Sequence, residues 1–232
     1  MNLLRTLIVS VTLLAGVTAH AQTSDFGSWN TFSVSKDLGK KFSAGGDLEL
    51  RFGDNLSRLN LFYINLGATY KITKWMRISG VYRFIDKYKD DNTFGFRHRL
   101  YVDLSLRQKL LDERLILSAR SRMQWEWRAA GYGSEAQGVP EIFWRNKFDV
   151  KYGVTDKLFP YVSLETRWQI QNPRFPYNDG CNFDRTRLYF GSDYKITDVI
   201  TVGLYFMQQK EHNVVDPQTL NIIGLEYSIS LD

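Results

Sequence analysis

Apolar and charged residues alternate one by one along most of this chain. Between Thr93 and Arg107, the residues Phe94, Phe96, Leu100, Val102, Leu104 and Leu106 share one parity, and Arg97, Arg99, Asp103 and Arg107 share the other. A β-strand sends successive side chains to opposite faces, so the segment has an oily side and an ionic side. The same period predicts strands at 27–36, 41–53, 57–71, 75–86, 93–108, 114–128, 140–153, 158–170, 182–195, 199–210 and 218–231. These are long for a soluble sandwich, whose strands average five or six residues. They suit tilted strands crossing a bilayer, which need about 9–11 residues.

The connections between these segments alternate in length. Tight ones fall near Asp37–Lys40, Thr73–Lys74, Leu111–Glu113, Thr155–Lys157 and Thr197–Asp198. Longer ones fall near Asp54–Leu56, Lys87–Asn92, Ala129–Val139, Gln171–Cys181 and Glu211–Pro217. Short turns on one side and longer loops on the other characterise up-and-down outer-membrane barrels. Three tight turns are alike: Tyr70-Lys71-Ile72-Thr73-Lys74, Tyr152-Gly153-Val154-Thr155-Asp156 and Tyr194-Lys195-Ile196-Thr197-Asp198. They read as a hairpin array with each Tyr at the inner headgroup level, or as convergence on one turn chemistry.

Together these features predict an all-β, antiparallel up-and-down transmembrane β-barrel of 10–12 strands. Eleven segments are readable, whereas single-chain bacterial barrels have even numbers. Either 27–36 is not a wall strand, which gives ten, or one strand is unseen, which gives twelve. Twelve is the preferred expectation.

The two parities assign the faces. Phe62, Ile64, Leu66, Ile78, Tyr82, Phe84, Leu117, Trp125, Leu164, Leu188, Phe190, Leu204, Phe206, Ile223 and Leu225 fall on the apolar side, toward lipid. The lumen-lining candidates are Glu49, Arg51, Arg77, Arg83, Arg97, Arg99, Asp103, Arg107, Arg120, Arg122, Glu126, Arg145, Lys147, Glu165, Arg167, Arg185, Arg187 and Glu226, and Asp47, Asp149 and Asp193 share their parity. Cations outnumber carboxylates on this face thirteen to eight. Gly67, Gly191, Gly203 and Gly224 share it too, as expected where long arginines crowd a narrow lumen. A soluble barrel turned inside out would give the same alternation. The strand lengths, the turn alternation and the use of Arg rather than Lys weigh against it.

If the turns are tight, Asp103 comes opposite or diagonal to Arg120, and Lys147 comes near Glu165. Both are expected as cross-strand ion pairs in an interlocked Arg–carboxylate network.

Composition adds three constraints. Residues 1–21 read as a cleaved secretory signal peptide: one Arg, an apolar run from Thr6 to Val17, then the small-x-small site Ala19-His20-Ala21. Residues 22–232 then form a single outer-membrane β-barrel domain. No later apolar run is long enough for a transmembrane helix. The net charge of +5 comes from strand faces rather than a tail, so nucleic acid is not an expected partner. The expected partners are outer-membrane lipid and small anions, with a monomer as the default state.

Several short stretches also look familiar. Asp25-Phe26-Gly27-Ser28-Trp29, Leu48-Glu49-Leu50-Arg51, Gly80-Val81-Tyr82-Arg83-Phe84, Arg120-Ser121-Arg122, and Phe159-Pro160-Tyr161 with Glu165 occur in this order. The chain resembles the bacterial family catalogued as domain of unknown function 2490. That resemblance implies an exported outer-membrane β-barrel. It supplies no catalytic or ligand residues.

Candidate chemistry is sparse. His98 shares the parity of Phe94 and Phe96, with Trp125 and Gly80 or Tyr82 as expected neighbours and no serine at hand, so an aromatic-girdle role outweighs a hydrolase one. His212 falls in a loop and is expected to be solvated. Cys181 is the only cysteine, so no internal disulfide is possible. Two scattered His after residue 21 and one Cys do not make a zinc site, and no metal or cofactor is expected. Glu126, Glu165 and Glu226 are expected to be ionised partners of arginine rather than acid–base catalysts. The loop from Gln171 to Gly180 is the most distinctive outer loop. Three functions remain open: a narrow anion-preferring pore, a plugged barrel with a structural or loop-mediated binding role, and, with least support, a lipid-acting enzyme.

Overall fold

The computed structural model describes residues 24–89, 92–128, 138–173, 181–214 and 216–231. Residues 1–21, expected as a signal peptide, and most of the loop from Gln171 to Gly180 lie outside the described residues. Eleven strands form one closed barrel: β1 (Ser24–Asp37), β2 (Phe42–Gly53), β3 (Arg58–Lys71), β4 (Met76–Tyr88), β5 (Phe94–Leu110), β6 (Leu115–Arg128), β7 (Glu141–Tyr152), β8 (Leu158–Gln171), β9 (Asn182–Lys195), β10 (Ile200–Glu211) and β11 (Thr219–Leu231). Each pairs antiparallel with its sequence neighbours.

The preference for twelve strands is corrected: the wall has eleven, and 27–36 belongs to it. An odd number of alternating strands leaves the first and last running the same way, and the barrel closes on that parallel pair. The β1–β11 ladder runs unbroken from Ser24 opposite Thr219 to Lys36 opposite Leu231. Side chains reinforce it. Ser33 and Ser228 hydrogen-bond through their hydroxyls at 2.9 Å inside, and Phe32 stacks on Tyr227 at 5.5 Å outside.

The outward face is apolar on all sides. Leu66, Leu100, Leu104, Val162, Phe190, Leu204 and Leu225 are all exposed. A continuous apolar exterior of this extent is what a lipid-facing wall requires. The same face holds His98. It accepts or donates a 2.6 Å hydrogen bond with Tyr82, opposes Phe84 and Trp127, and packs edge-on to Phe84. Trp125, expected as its neighbour, is instead opposite Leu100.

The three similar turns share one device. Thr73, Thr155 and Thr197 each accept, through Oγ1, backbone N–H bonds from the residues two and three ahead, at 3.0–3.3 Å. The hydroxyl replaces backbone partners that the chain reversal removes. Asp54–Leu56, grouped above with the longer connections, is in fact a tight turn, with φ of 50°, 54° and 70° at Asp54, Asn55 and Leu56. Leu111, Asp112 and Glu113 repeat that left-handed run at the opposite rim, with φ of 52°, 52° and 67°.

Three bulges lie toward the long-loop rim, at Arg51/Phe52, Ile142/Phe143 and Arg167/Trp168. A bulge sets two residues against one and re-aims a side chain. The third brings Asp184 and Arg185, adjacent in sequence, opposite Arg167.

Candidate functional site

The inward face is polar and tightly paired. Asp103 and Arg122 are directly opposed, and two N–H groups of the guanidinium donate to the two carboxylate oxygens. The expected partner Arg120 is diagonal to Asp103 and donates instead to Glu165 at 2.9 Å. Glu165 is a hub. It also accepts from Arg145 at 2.5 Å and Arg187 at 3.0 Å. Lys147 does lie opposite Glu165, yet its ion pair is with Asp149 at 3.0 Å, because three guanidinium groups already occupy the glutamate.

Nearer the long-loop rim, Glu126 accepts from Arg97 at 2.7 Å and from Arg99. Arg167 binds Asp184, and Arg185 binds Glu211 at 2.6 Å. Glu49 accepts from Arg51 at 2.5 Å and from the Tyr63 hydroxyl. Arg83 donates to Asn65 at 2.5 Å and lies over the Tyr63 ring at 3.7 Å. Among the described residues three of the sequence-derived candidates stand apart: Arg77, Arg107 and Glu226 make no ion pair or side-chain hydrogen bond.

Inward aromatic and aliphatic residues complete the filling, and sequence reasoning missed them. Arg51 lies over Trp29 at 3.5 Å, and Arg122 over Tyr101 at 3.7 Å. Trp29, Tyr189, Tyr205, Met207 and Ile222 form an apolar cluster inside the barrel. Part of the signal was available: Tyr189 has the parity of Arg185 and Arg187, and Ile222 that of Glu226, whereas Trp29, Tyr205 and Met207 lie on strands with no arginine. Two of the four inward glycines, Gly191 and Gly224, make room for these rings, whereas Gly67 meets Val81 and Gly203 meets Asp193 and Glu226. A Cβ at Gly224 would fall within the Tyr205 ring, and one at Gly191 would meet Tyr161 and Tyr205 at 2.7 Å.

The result is a dry belt. Trp29, Glu49, Tyr63, Ile85, Tyr101, Gln124, Phe143, Glu165, Asp184, Met207 and Ile222, one from each strand, are 0–8% exposed. From this belt to the tight-turn rim the lumen is hollow. A cavity of about 320 Å³ lies against Trp29, Arg51, Arg83 and Glu165, and it shares Lys147, Tyr189, Tyr205 and Glu226 with a second of about 270 Å³. That second one shares Arg107, Lys151 and Asp193 with a mouth of about 740 Å³ at the turns. Seven cations and four carboxylates line the innermost cavity, so its positive surplus is local. At the mouth, the Lys109 ammonium donates to Glu113 at 2.6 Å and holds that carboxyl below its ordinary range.

The two histidines after residue 21 are both engaged. His212, expected to be solvated, hydrogen-bonds Thr186 at 2.7 Å and stacks on Phe183 at 5.0 Å. Cys181 is exposed and free.

Among solved structures, the chain is similar to one titled as a NanC porin structure in rhombohedral crystal form. The identity is 13%, the alignment covers 79% of this chain and 86% of that one, and the TM-score is 0.48. No curated protein matches the chain. A family model described as protein of unknown function (DUF2490) matches residues 26–219, from the third residue of β1 to the first residue of β11, and the chain belongs to that family.

Proposed function

We propose that this protein is a bacterial outer-membrane barrel that holds small anions in a blind chamber, reached from the tight-turn rim, rather than an open diffusion pore. The observation that carries this reading is the dry belt. Inward side chains of an open pore are wetted, whereas here every strand contributes one that is nearly or fully buried. Of the pore and plug readings, the belt therefore favours the plug.

The chamber's inner end supplies the anion preference. Fixed positive charge inside low-dielectric walls concentrates anions and repels cations. Short turns face the periplasm in outer-membrane barrels, so the mouth opens inward to the cell and the belt seals the outside. Lipid is the partner of the outer wall. His98 carries no catalytic role in this reading, because Tyr82 and Phe84 occupy its surroundings as a girdle would.

Single-channel recording on the refolded full chain in planar bilayers tests the proposal. The expected record shows no sustained conductance from protein that is folded by heat-modifiable gel mobility. A steady, ohmic, anion-selective current would overturn the blind chamber in favour of the pore.

A further inference from the structure

The inward arginines fall into two sets. From mid-barrel to the long-loop rim, each described one is matched by a carboxylate, or in the case of Arg83 by Asn65 and the Tyr63 ring. At the tight-turn end, Arg77 and Arg107 are not. Arg77 on β4 opposes Ser105, so Arg107 is its diagonal neighbour on the same inward face of β5. The two guanidinium groups repel one another. The carboxylate that acts on Arg107 is Glu113, and Lys109 already binds it.

Both arginines line one recess of about 240 Å³, together with Lys74, Ser105, Ser118 and Arg120. Its one carboxylate, Asp149, is engaged by Lys147 at 3.0 Å and by the Ser163 hydroxyl at 2.5 Å. Both are exposed in the hollow end of the lumen, so water screens their mutual repulsion, and an anion from solution that bridges them replaces it with attraction while losing little hydration of its own. A guanidinium fork matches an oxyanion bidentately, and hydroxyls complete its hydrogen bonding. We infer that Arg77 and Arg107 form a clamp for a phosphate group.

The inference deepens the blind-chamber reading by naming its anion. The phosphate has two possible routes. A free phosphate or phosphomonoester enters through the mouth, which Arg107 also lines. Alternatively, a phospholipid headgroup arrives from the leaflet at that rim. An apolar groove of about 450 Å³ on the outer wall, formed by Leu117, Phe148 and Val150, shares Trp75, Leu106 and Arg107 with the recess.

The test is calorimetric titration of the refolded full chain in a nonionic detergent, with inorganic phosphate in one arm and short-chain phosphatidylglycerol in the other. At least one probe is expected to bind. Arg77→Gln and Arg107→Gln should each weaken it about tenfold, and the double variant should abolish it. Removing repelling charges leaves folding intact, which gel mobility checks. Phosphate binding lost in the double variant identifies the free ion as ligand, and loss in the lipid arm alone identifies the headgroup. Failure of both probes, or binding unchanged in the double variant, overturns the clamp. No arginine-dependent binding in either arm, with no channel current, would remove the clamp and leave the blind chamber standing. A steady current with arginine-dependent phosphate binding would do the reverse.

Discussion

Arg122 holds Asp103 through parallel hydrogen bonds of 2.6 and 2.7 Å, from directly opposed positions on β6 and β5. Both side chains are buried, so the pair exchanged water for one another and for the Tyr101 ring beneath the guanidinium. Removing one partner strands a buried charge, whereas replacing both with apolar groups does not. Asp103→Ala should therefore cost about 3–5 kcal/mol, and Asp103→Leu with Arg122→Met should recover most of it. Urea unfolding in lipid vesicles, followed by tryptophan fluorescence, measures both. A loss below about 1 kcal/mol for the single change contradicts a buried, mutually dependent pair.

Glu165 pairs with Arg120, Arg145 and Arg187 at once, one negative charge among three positive ones. Glu165→Gln leaves three guanidinium groups around an uncharged amide. The expected result is a destabilisation of about 3 kcal/mol or more, with brief conductance bursts as the belt loosens. Bilayer recordings as silent as the parent's, with unchanged urea stability, would show that the hub does not hold the belt.

Tyr205 covers the backbone at Gly224. Gly224→Ala should cost about 1–3 kcal/mol by overpacking. Tyr205→Ala should remove that penalty, so the two changes couple in a double-mutant cycle. Additive losses would mean that the ring has somewhere else to go.

Two kinds of turn respond in opposite directions. Thr73→Ala, Thr155→Ala and Thr197→Ala each lose the two backbone contacts of a hydroxyl, at about 1 kcal/mol apiece. Leu56→Gly relieves a left-handed, non-glycine conformation at an exposed site and should stabilise by about 1 kcal/mol. Thermal melts rank all four, and a destabilising Leu56→Gly would contradict the strain assigned to that turn.

The parallel closure has its own test. Ser33 and Ser228 are paired across the seam. In a Cys181→Ser background, Ser33→Cys with Ser228→Cys should oxidise to an internal disulfide that keeps the heat-denatured chain compact on gels. A chain that cross-links only between molecules would mean a different closure.

The wall was legible in the sequence because one face is apolar and the other polar, a contrast that period-two reading detects along most strands. The same parity rule brought the arginines and carboxylates to one side. It did not select their partners. Asp103 pairs with Arg122 rather than Arg120 because register depends on how far the β5–β6 hairpin extends before its left-handed turn. Asp184 was out of reach altogether, since a bulge turns inward a residue whose parity points elsewhere. Trp29, Tyr205 and Met207 carry no such signal, because their strands β1 and β10 hold no inward arginine or carboxylate beside them and the parity contrast is weak there. The even-strand expectation failed for a separate reason: a count taken from other barrels outweighed the direction of the strands themselves.

An odd wall also separates its own first and last residues. Ser24 begins β1 at the long-loop rim, and Leu231 finishes β11 at the turn rim, about 40 Å away along the ladder. A peptide fused ahead of Ser24 and another fused after Leu231 would emerge on opposite sides of the bilayer. Impermeant labels applied to whole cells would reach one and miss the other, and no short linker could join the ends into a circular permutant.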